Sequence, residues 1–450
     1  VILFNHQTNN MLKTLAIFFG TALFWSSILG QSTLLINNVQ IFDGVNNRTT
    51  LGNVLVVNNL IRKISSAPIA TDRSANTKII DGKGKFLMPG LIDAHWHTIM
   101  TANTLADMME GEPGYAFIKA GAEAENTLLR GFTSVRDLGG PSFGLKKAID
   151  DGTVSGPRIW PSGSMISQTS GHGDFRSVNE KPQSMGGHPH HSEDIGGATI
   201  ADGPDAVLVA VRENLKRGAS QIKMTAGGGV SSIFDPLDVS QFTLDELKAA
   251  VEAAEDWGTY VAVHAYTPRA VRKAIEAGVK CIDHGHLLDD ATLKLIGEKG
   301  IWLSMQPLDS NTAPQANAEQ KQKKYDVAAG TYRIYQSVKK YNLKLAWGTD
   351  LLFMPAANKQ QTATIPLMGT WFTPFEVLKM ITHDNAELLA LSGKRSPYRE
   401  GKLGVIAEGA YADLLLVDGN PLNDLKLMAD YNKNFLLIVK DGVVYKNTIQ

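Results

Sequence analysis

Short apolar runs rich in β-branched residues recur from residue 31 to about 86, over 34–36, 39–42, 54–57 and 61–64. Asn37-Asn38, Asp43-Gly44 and Asn58-Asn59 separate them, a pattern that predicts short strands joined by turns. The far end of the chain repeats it. Residues 412–417 run into Asp418-Gly419-Asn420-Pro421, and 435–439, the turn Asp441-Gly442 and 443–445 predict a hairpin. Strand patterns at both ends predict one β-sandwich-like domain assembled from 31–87 and 392–450.

Between them, eight apolar runs alternate with amphipathic stretches: 91–93, 133–135, 159–161, 222–224, 261–263, 281–283, 301–303 and 345–347. Helical patterns cover 116–129, 144–150, 206–217, 244–257, 268–277 and 289–299. Such alternation predicts an α/β fold, a (β/α)8 TIM barrel over 88–391, with functional residues at the strand C-terminal ends. Two insertions, the Gly/His/Ser/Pro-rich 176–200 and the polar 306–330, are expected to be loops.

The beginning is set apart from the fold. Met11-Leu12-Lys13, an apolar stretch over 15–25, and small residues before Gly30-Gln31 match an export signal, with 1–10 lying upstream of it. A retained membrane anchor is the competing reading, but the apolar stretch falls short of the ~20 residues that a span needs. The expected location is periplasmic or secreted, with no membrane association after cleavage. Hydrophobic residues at 43% and charged residues at 20% allow a sizeable core and argue against disorder. A net charge of -1 argues against a nucleic-acid partner, and the single cysteine, Cys281, excludes a disulfide scaffold. Composition leaves a homo-oligomer open.

Candidate chemistry collects where strands end. In Asp93-Ala94-His95-Trp96-His97 two histidines one residue apart share a strand face, which suits two imidazoles on one metal ion and also fits a surface pair. Lys223 sits among apolar neighbours, where an unpaired ammonium is costly and must be neutralised or modified. His264 and His284 end two further strands, and Asp350 follows the eighth. Each alone is compatible with a structural role; together they point to a site.

These residues resemble the binuclear-metal branch of the amidohydrolase superfamily, and within it the prolidase-like Xaa-Pro dipeptidases and related carboxypeptidases. Gly131-Phe132-Thr133-Ser134-Val135-Arg136-Asp137, His264-Ala265-Tyr266, Thr382-His383-Asp384-Asn385-Ala386-Glu387, Gly401-Lys402-Leu403-Gly404 and Ala412-Asp413-Leu414 carry the resemblance over nearly the whole chain after residue 30. It implies two divalent ions, held by His95, His97 and Asp350 and by His264 and His284, with an N-carboxylated Lys223 between them. Zinc suits such a nitrogen and carboxylate set, with manganese and cobalt left open. The implied reaction is attack of a metal-bridging hydroxide on an amide. Asp350 would shuttle the proton, His172 would polarise the scissile carbonyl, and Tyr266 would bind substrate or, alternatively, only pack the barrel top.

Other features are discounted. His188, His190 and His191 lie in the Gly/Pro-rich insertion and are expected to be solvated. Gly227-Gly228-Gly229 lacks the Gly-Lys-Ser/Thr ending of a nucleotide loop and is expected to let backbone approach substrate. His286 competes with His284, which is preferred because Gly285 follows it, as in the family; Cys281 is expected in the core. Three functions stand: a peptidase removing the C-terminal residue of dipeptides or short peptides; an amidase, lactamase or esterase acting on an N-acyl amino acid or a cyclic or aromatic amide; and a non-catalytic periplasmic metal-binding protein. Around the mouth stand Asp174, Asp235 and Asp309, but no acid from Leu351 through Phe375. That stretch carries Leu351, Leu352, Phe353, Met354, Ile365, Leu367, Met368, Trp371 and Phe372, either a wall favouring a proline or hydrophobic leaving residue or mere packing.

Overall fold

The computed structural model describes residues 32–72, 74–232, 234–308 and 317–449. The export signal expected over 11–30 and Asp309 lie outside them. Strands β1 (Thr33–Phe42), β2 (Thr49–Val57), β3 (Leu60–Ser65), β4 (Thr77–Asp81) and β5 (Phe86–Pro89) form first. The turn expected at Asn37-Asn38 is instead a bulge inside β1: pairing with β2 shifts between Ile36 and Val39, and Asn38 takes φ 52°. Asparagine tolerates that conformation, so the strand continues past it.

All eight expected barrel strands form. They are β6 (Leu91–Trp96), β7 (Phe132–Asp137), β8 (Arg158–Pro161) with its continuation β9 (Met165–Ser167), then, after β10 (Ala198–Ile200), β11 (Ile222–Thr225), β12 (Val261–Ala265), β13 (Cys281–His284), β14 (Trp302–Met305) and β15 (Lys344–Trp347). Residues 162–164 split the third strand, so the parallel ladder runs as β6-β7-β8 and as β10-β9-β11-β12-β13-β14-β15. The last strand returns to the first: the Asp350 amide donates to the His95 carbonyl at 2.8 Å. Helices Pro113–Leu129, Phe143–Asp150, Pro204–Arg217, Leu244–Asp256, Pro268–Ala277 and Asp290–Lys299 occupy the expected positions between strands.

Both insertions differ from the loops expected. Within 176–200, β10 adds a parallel strand beside β9 and a short helix forms over His191–Asp194. Within 306–330 begins the helix Ala318–Lys340, capped by the Asn317 side chain accepting from the Gln320 amide. Its buried face includes Val327, Gly330, Thr331, Ile334 and Tyr335. Only part of that face is aliphatic, which hides the helical period in a polar sequence. Gly330 is required there, because a Cβ would lie 2.0 Å from the His286 carbonyl oxygen.

Strands β16 (Leu414–Val417), β17 (Phe435–Lys440) and β18 (Val443–Asn447) then join the first sheet in the order β18-β17-β16-β5-β1-β2-β3. β5 is the seam, pairing in parallel with β1 and antiparallel with β16, Phe86 opposite Val417. Side-chain alternation sends its two faces to two cores. Leu87, Leu414, Leu416, Leu437 and Val439 pack with Leu34, Ile36 and Ile41 inside the terminal sheet. Phe86, Met88, Leu415, Val417 and Phe435 pack instead with Leu91, Leu128 and Phe132 of the barrel. One sheet built from both chain ends is thereby anchored beneath the first barrel strands.

Candidate metal centre

Asp350 is the focus of the histidines. One of its carboxylate oxygens, Oδ1, lies 3.2 Å from Nε2 of His95 and 3.2 Å from Nε2 of His97, and Oδ2 lies 3.9 Å from Nε2 of His284. Trp96, between the two histidines, faces the opposite way and packs with Ile99, Ala120 and Val135. The ligand atoms of His95, His284 and Asp350 all fall within 4.8 Å of one another. His284 and Asp350 hold φ of 80° and 53°, a conformation that costs a non-glycine residue about 1–3 kcal/mol and that collects at functional sites. Gly348 permits the approach of the eighth strand, since a Cβ would meet the His95 amide nitrogen at 2.5 Å.

Hydrogen bonds decide which ring nitrogen each histidine offers. Nδ1 of His97 faces the Gly139 carbonyl at 3.3 Å, so it donates and leaves Nε2 bare. Nε2 of His264 faces the Gly228 carbonyl at 3.0 Å, so its bare nitrogen is Nδ1. Burial pushes the His95, His264 and His284 imidazoles below the ordinary histidine range, which keeps them neutral and able to ligate. Asp350 shows the reverse. Its surroundings oppose ionisation, yet the adjoining His95, His97 and His284 hold its carboxyl well below the usual carboxylate range.

Lys223 has a partner that sequence reasoning did not provide. Its Nζ donates to Oδ2 of Asp283 at 2.5 Å, and the other oxygen of Asp283 accepts from Nη2 of Arg136 at 2.6 Å. Arg136 also donates to the Ala94 carbonyl and the Tyr260 hydroxyl. Neutralisation of the buried ammonium is thus achieved by an ion pair in this structure. Cys281 lies in the same layer, buried as expected.

Above the histidines, His172 stacks on His264 with ring centroids 4.1 Å apart. Its Nδ1 contacts Oδ2 of the buried Asp235 at 3.0 Å, and that oxygen also accepts from the Gly229 amide at 2.8 Å. Burial opposes ionisation of Asp235, but His172, the Ser232 hydroxyl and the Gly229 amide together outweigh it and lower its pKa. The glycine run serves this packing: a Cβ on Gly229 would lie 2.0 Å from the His172 ring, and one on Gly228 would lie 1.9 Å from the Pro236 carbonyl oxygen. The Tyr266 ring stacks on His284 at 4.9 Å.

A model of the amidohydrolase family matches residues 86–446. The chain belongs to the amidohydrolase family. Ochratoxinase of Aspergillus niger is 30% identical over 380 residues, covering 80% of this chain and 75% of its own. A prolidase complexed with N-methylphosphonate-L-proline is 32% identical with a TM-score of 0.84, over 92% of this chain and 100% of that one. A Xaa-Pro dipeptidase with methionine bound in its active site is 28% identical with a TM-score of 0.78, over 92% of this chain and 100% of that one. As an amidohydrolase, the chain is a hydrolytic enzyme.

The amidohydrolase mouth is narrower in chemistry than the sequence implied. Ile365, Met368 and Phe372 are buried in the main core, and Trp371 packs against Tyr335 with ring centroids 4.9 Å apart, so these four are packing residues. Leu351 and Phe353 keep partial exposure, with Phe353 edge-on to Phe175 at 6.3 Å. Asp174 is paired with Arg176 at 2.5 Å, and Asp235 is committed to His172. His188 is exposed, whereas His190 caps the helix His191–Asp194. His286 turns Nε2 to the Gln306 carbonyl at 3.1 Å rather than toward Asp350. Gln306 and Asp283 were missed as site residues, and Asp235 was placed at the mouth but not against His172. Gln306, directly after the seventh strand, was accessible by asking what ends that strand.

Proposed function

We propose that this amidohydrolase is a metal-dependent peptidase that cleaves the amide bond before the C-terminal residue of dipeptides or short peptides, Xaa-Pro or Xaa-hydrophobic. The observation that carries the reading is the convergence of His95, His97 and His284 on the Asp350 carboxylate beneath His172. Neutral imidazoles beside an anionic carboxylate are a donor set that fits zinc. His95, His97 and Asp350 would hold one ion, and His264, through Nδ1, with His284 a second, Lys223 joining them once N-carboxylated. When bound, such ions supply a Lewis acid and an acidified water at neutral pH.

The remaining chemistry belongs to the side chains. Asp350 takes a proton during attack and returns it to the departing amine. His172, its Nδ1 held by Asp235, turns its other nitrogen toward the scissile carbonyl and donates to the charge that develops there. Tyr266, fixed against His284, orients the substrate. The likeness to a prolidase carrying a proline phosphonate supports the leaving residue, as does the commitment of Asp174 and Asp235 to partners within the chain. Likeness to ochratoxinase favours a second reading, an amidase acting on an N-acyl amino acid or aromatic amide. Export through the signal at 11–30 completes the proposal; the N-terminal sequence of the secreted chain tests it. A mass-spectrometric screen of a dipeptide library with N-acyl amino acids included tests the activity. Turnover of Xaa-Pro that is lost on chelation and restored by Zn²⁺ is expected, and hydrolysis of N-acyl substrates alone would replace the first reading with the second.

A further inference from the structure

Gln306 follows β14 at the C-terminal mouth of the barrel and is 2% exposed. Its amide stands between two candidate ligands on different strands. Oε1 lies 2.7 Å from Nδ1 of His284, and Nε2 lies 3.2 Å from Nδ1 of His95. Its backbone carbonyl meanwhile accepts from Nε2 of His286 at 3.1 Å. One residue therefore touches three histidines.

A primary amide donates from nitrogen and accepts at oxygen, and it cannot do both with one atom. The Nδ1 that faces the oxygen must carry a hydrogen, and the Nδ1 that faces the nitrogen must present a lone pair. His284 and His95 are therefore in opposite tautomers. Exchanging the amide oxygen and nitrogen swaps the two rings but leaves the inequality intact. As placed, His284 has a bare Nε2, whereas His95 carries its hydrogen on Nε2 and directs it at Oδ1 of Asp350, 3.2 Å away.

On the reading that this cluster binds a divalent ion, we propose that Gln306 is a positioning residue that makes the two imidazoles unequal ligands. His284 is set to ligate as it stands, while His95 must first give up its bond to the amide. Ligation through Nε2 by both rings, whether to one ion or to two, would leave a hydrogen on each Nδ1, and an amide offers an acceptor to only one of them. A carboxylate at 306 accepts from both. Partners of the non-ligating nitrogen fix ring orientation, and removing one lowers metal affinity roughly 10- to 100-fold.

The test is competition for Zn²⁺ between a chromophoric chelator and the metal-depleted full-length chain, beside nitrogen NMR of its labelled histidines. Gln306→Met, similar in volume, is expected to weaken Zn²⁺ binding by roughly 10- to 100-fold, and Gln306→Glu to bind at least as tightly as wild type. The wild-type spectrum should show His95 and His284 in opposite tautomers. Zn²⁺ binding by Gln306→Met equal to wild type, or one shared tautomer for both rings, overturns the proposal while leaving the metal reading in place. No Zn²⁺ binding by the wild type removes the metal reading and this inference together. Should Gln306→Met fail to fold, the wild-type tautomers decide alone.

Discussion

Asp283 accepts from Lys223 at 2.5 Å through one oxygen and from Arg136 at 2.6 Å through the other, with all three side chains buried in the barrel. One anion thus serves two cations. Burial alone would raise the Asp283 pKa, but Lys223 and Arg136 hold it below the ordinary carboxylate range. In the metal-free chain, where Lys223 is an unmodified ammonium, removing that charge strands both partners in a low-dielectric interior. Asp283→Asn should cost about 3–5 kcal/mol of stability, the usual penalty for breaking a buried pair from one side. Thermal unfolding of the variant beside wild type measures it, and an unchanged transition would show that the network contributes little to the fold.

Asp350→Asn separates the proton-carrying role from the fold. Asparagine tolerates the φ of 53° that Asp350 adopts, so the eighth-strand end should keep its shape. Lost acid–base function predicts a fall in kcat of roughly 10²–10⁴-fold. Turnover lowered by that factor on the best substrate of the dipeptide screen, with circular dichroism and metal content unchanged, is the expected result. Full activity in the variant would remove Asp350 from the proton path.

Asp235 acts one step further out, through His172. Asp235→Ala removes the anionic partner of Nδ1, leaving the Ser232 hydroxyl 3.1 Å from it and the stacking on His264 intact. kcat should fall with little change in KM, and His172→Ala combined with Asp235→Ala should be no worse than His172→Ala alone. Additive losses would mean that Asp235 supports the loop and not the histidine.

Cys281 gives a pH-dependent probe of the barrel layer below the site. Burial pushes its thiol up from the ordinary value of 9.0 to about 12. The unfolded chain ionises first as pH rises, so this contribution to stability is full below about pH 9 and is lost progressively toward pH 12. At neutral pH an aromatic disulfide reagent should leave the native chain unlabelled and should titrate one thiol per chain after denaturation. Rapid labelling of the native chain would contradict the burial.

His95, His264, His284 and Asp350 were legible in the sequence because strand-end position and side-chain alternation are local properties. Their partners were not. Asp283 meets Arg136 across 147 positions, Gln306 meets His95 across 211, and Asp235 meets His172 across 63, and nothing in the local pattern of an aspartate or glutamine foretells such contacts. The same limit applies to backbone. Asn37-Asn38 has the composition of a turn, and only pairing with β2 on both sides makes it a bulge. The helix Ala318–Lys340 was hidden because its buried face includes Lys323, Gly330 and Thr331, whose burial depends on what packs over them.

Leaving-residue preference now rests on a smaller wall, because four of the nine apolar residues that suggested it pack within the protein. With Ile365, Met368, Trp371 and Phe372 committed to packing, the apolar surface left on that stretch is Leu351, Leu352, Phe353, Met354 and Leu367. The electrostatic half of the argument has meanwhile grown stronger. A buried lysine or arginine on the substrate needs a carboxylate, and of the mouth acids among the described residues Asp174 and Asp235 already have partners at 2.5 Å and 3.0 Å. Recruiting either one would break an existing pair. Proline or leucine asks for no counter-charge and gains on the order of 0.8 kcal/mol for each methylene buried. kcat/KM should therefore be higher for Ala-Pro and Ala-Leu than for Ala-Arg, and Phe353→Ala should narrow the gap by lowering the first two. A higher value for Ala-Arg than for both would refute the preference while leaving the hydrolase itself in place.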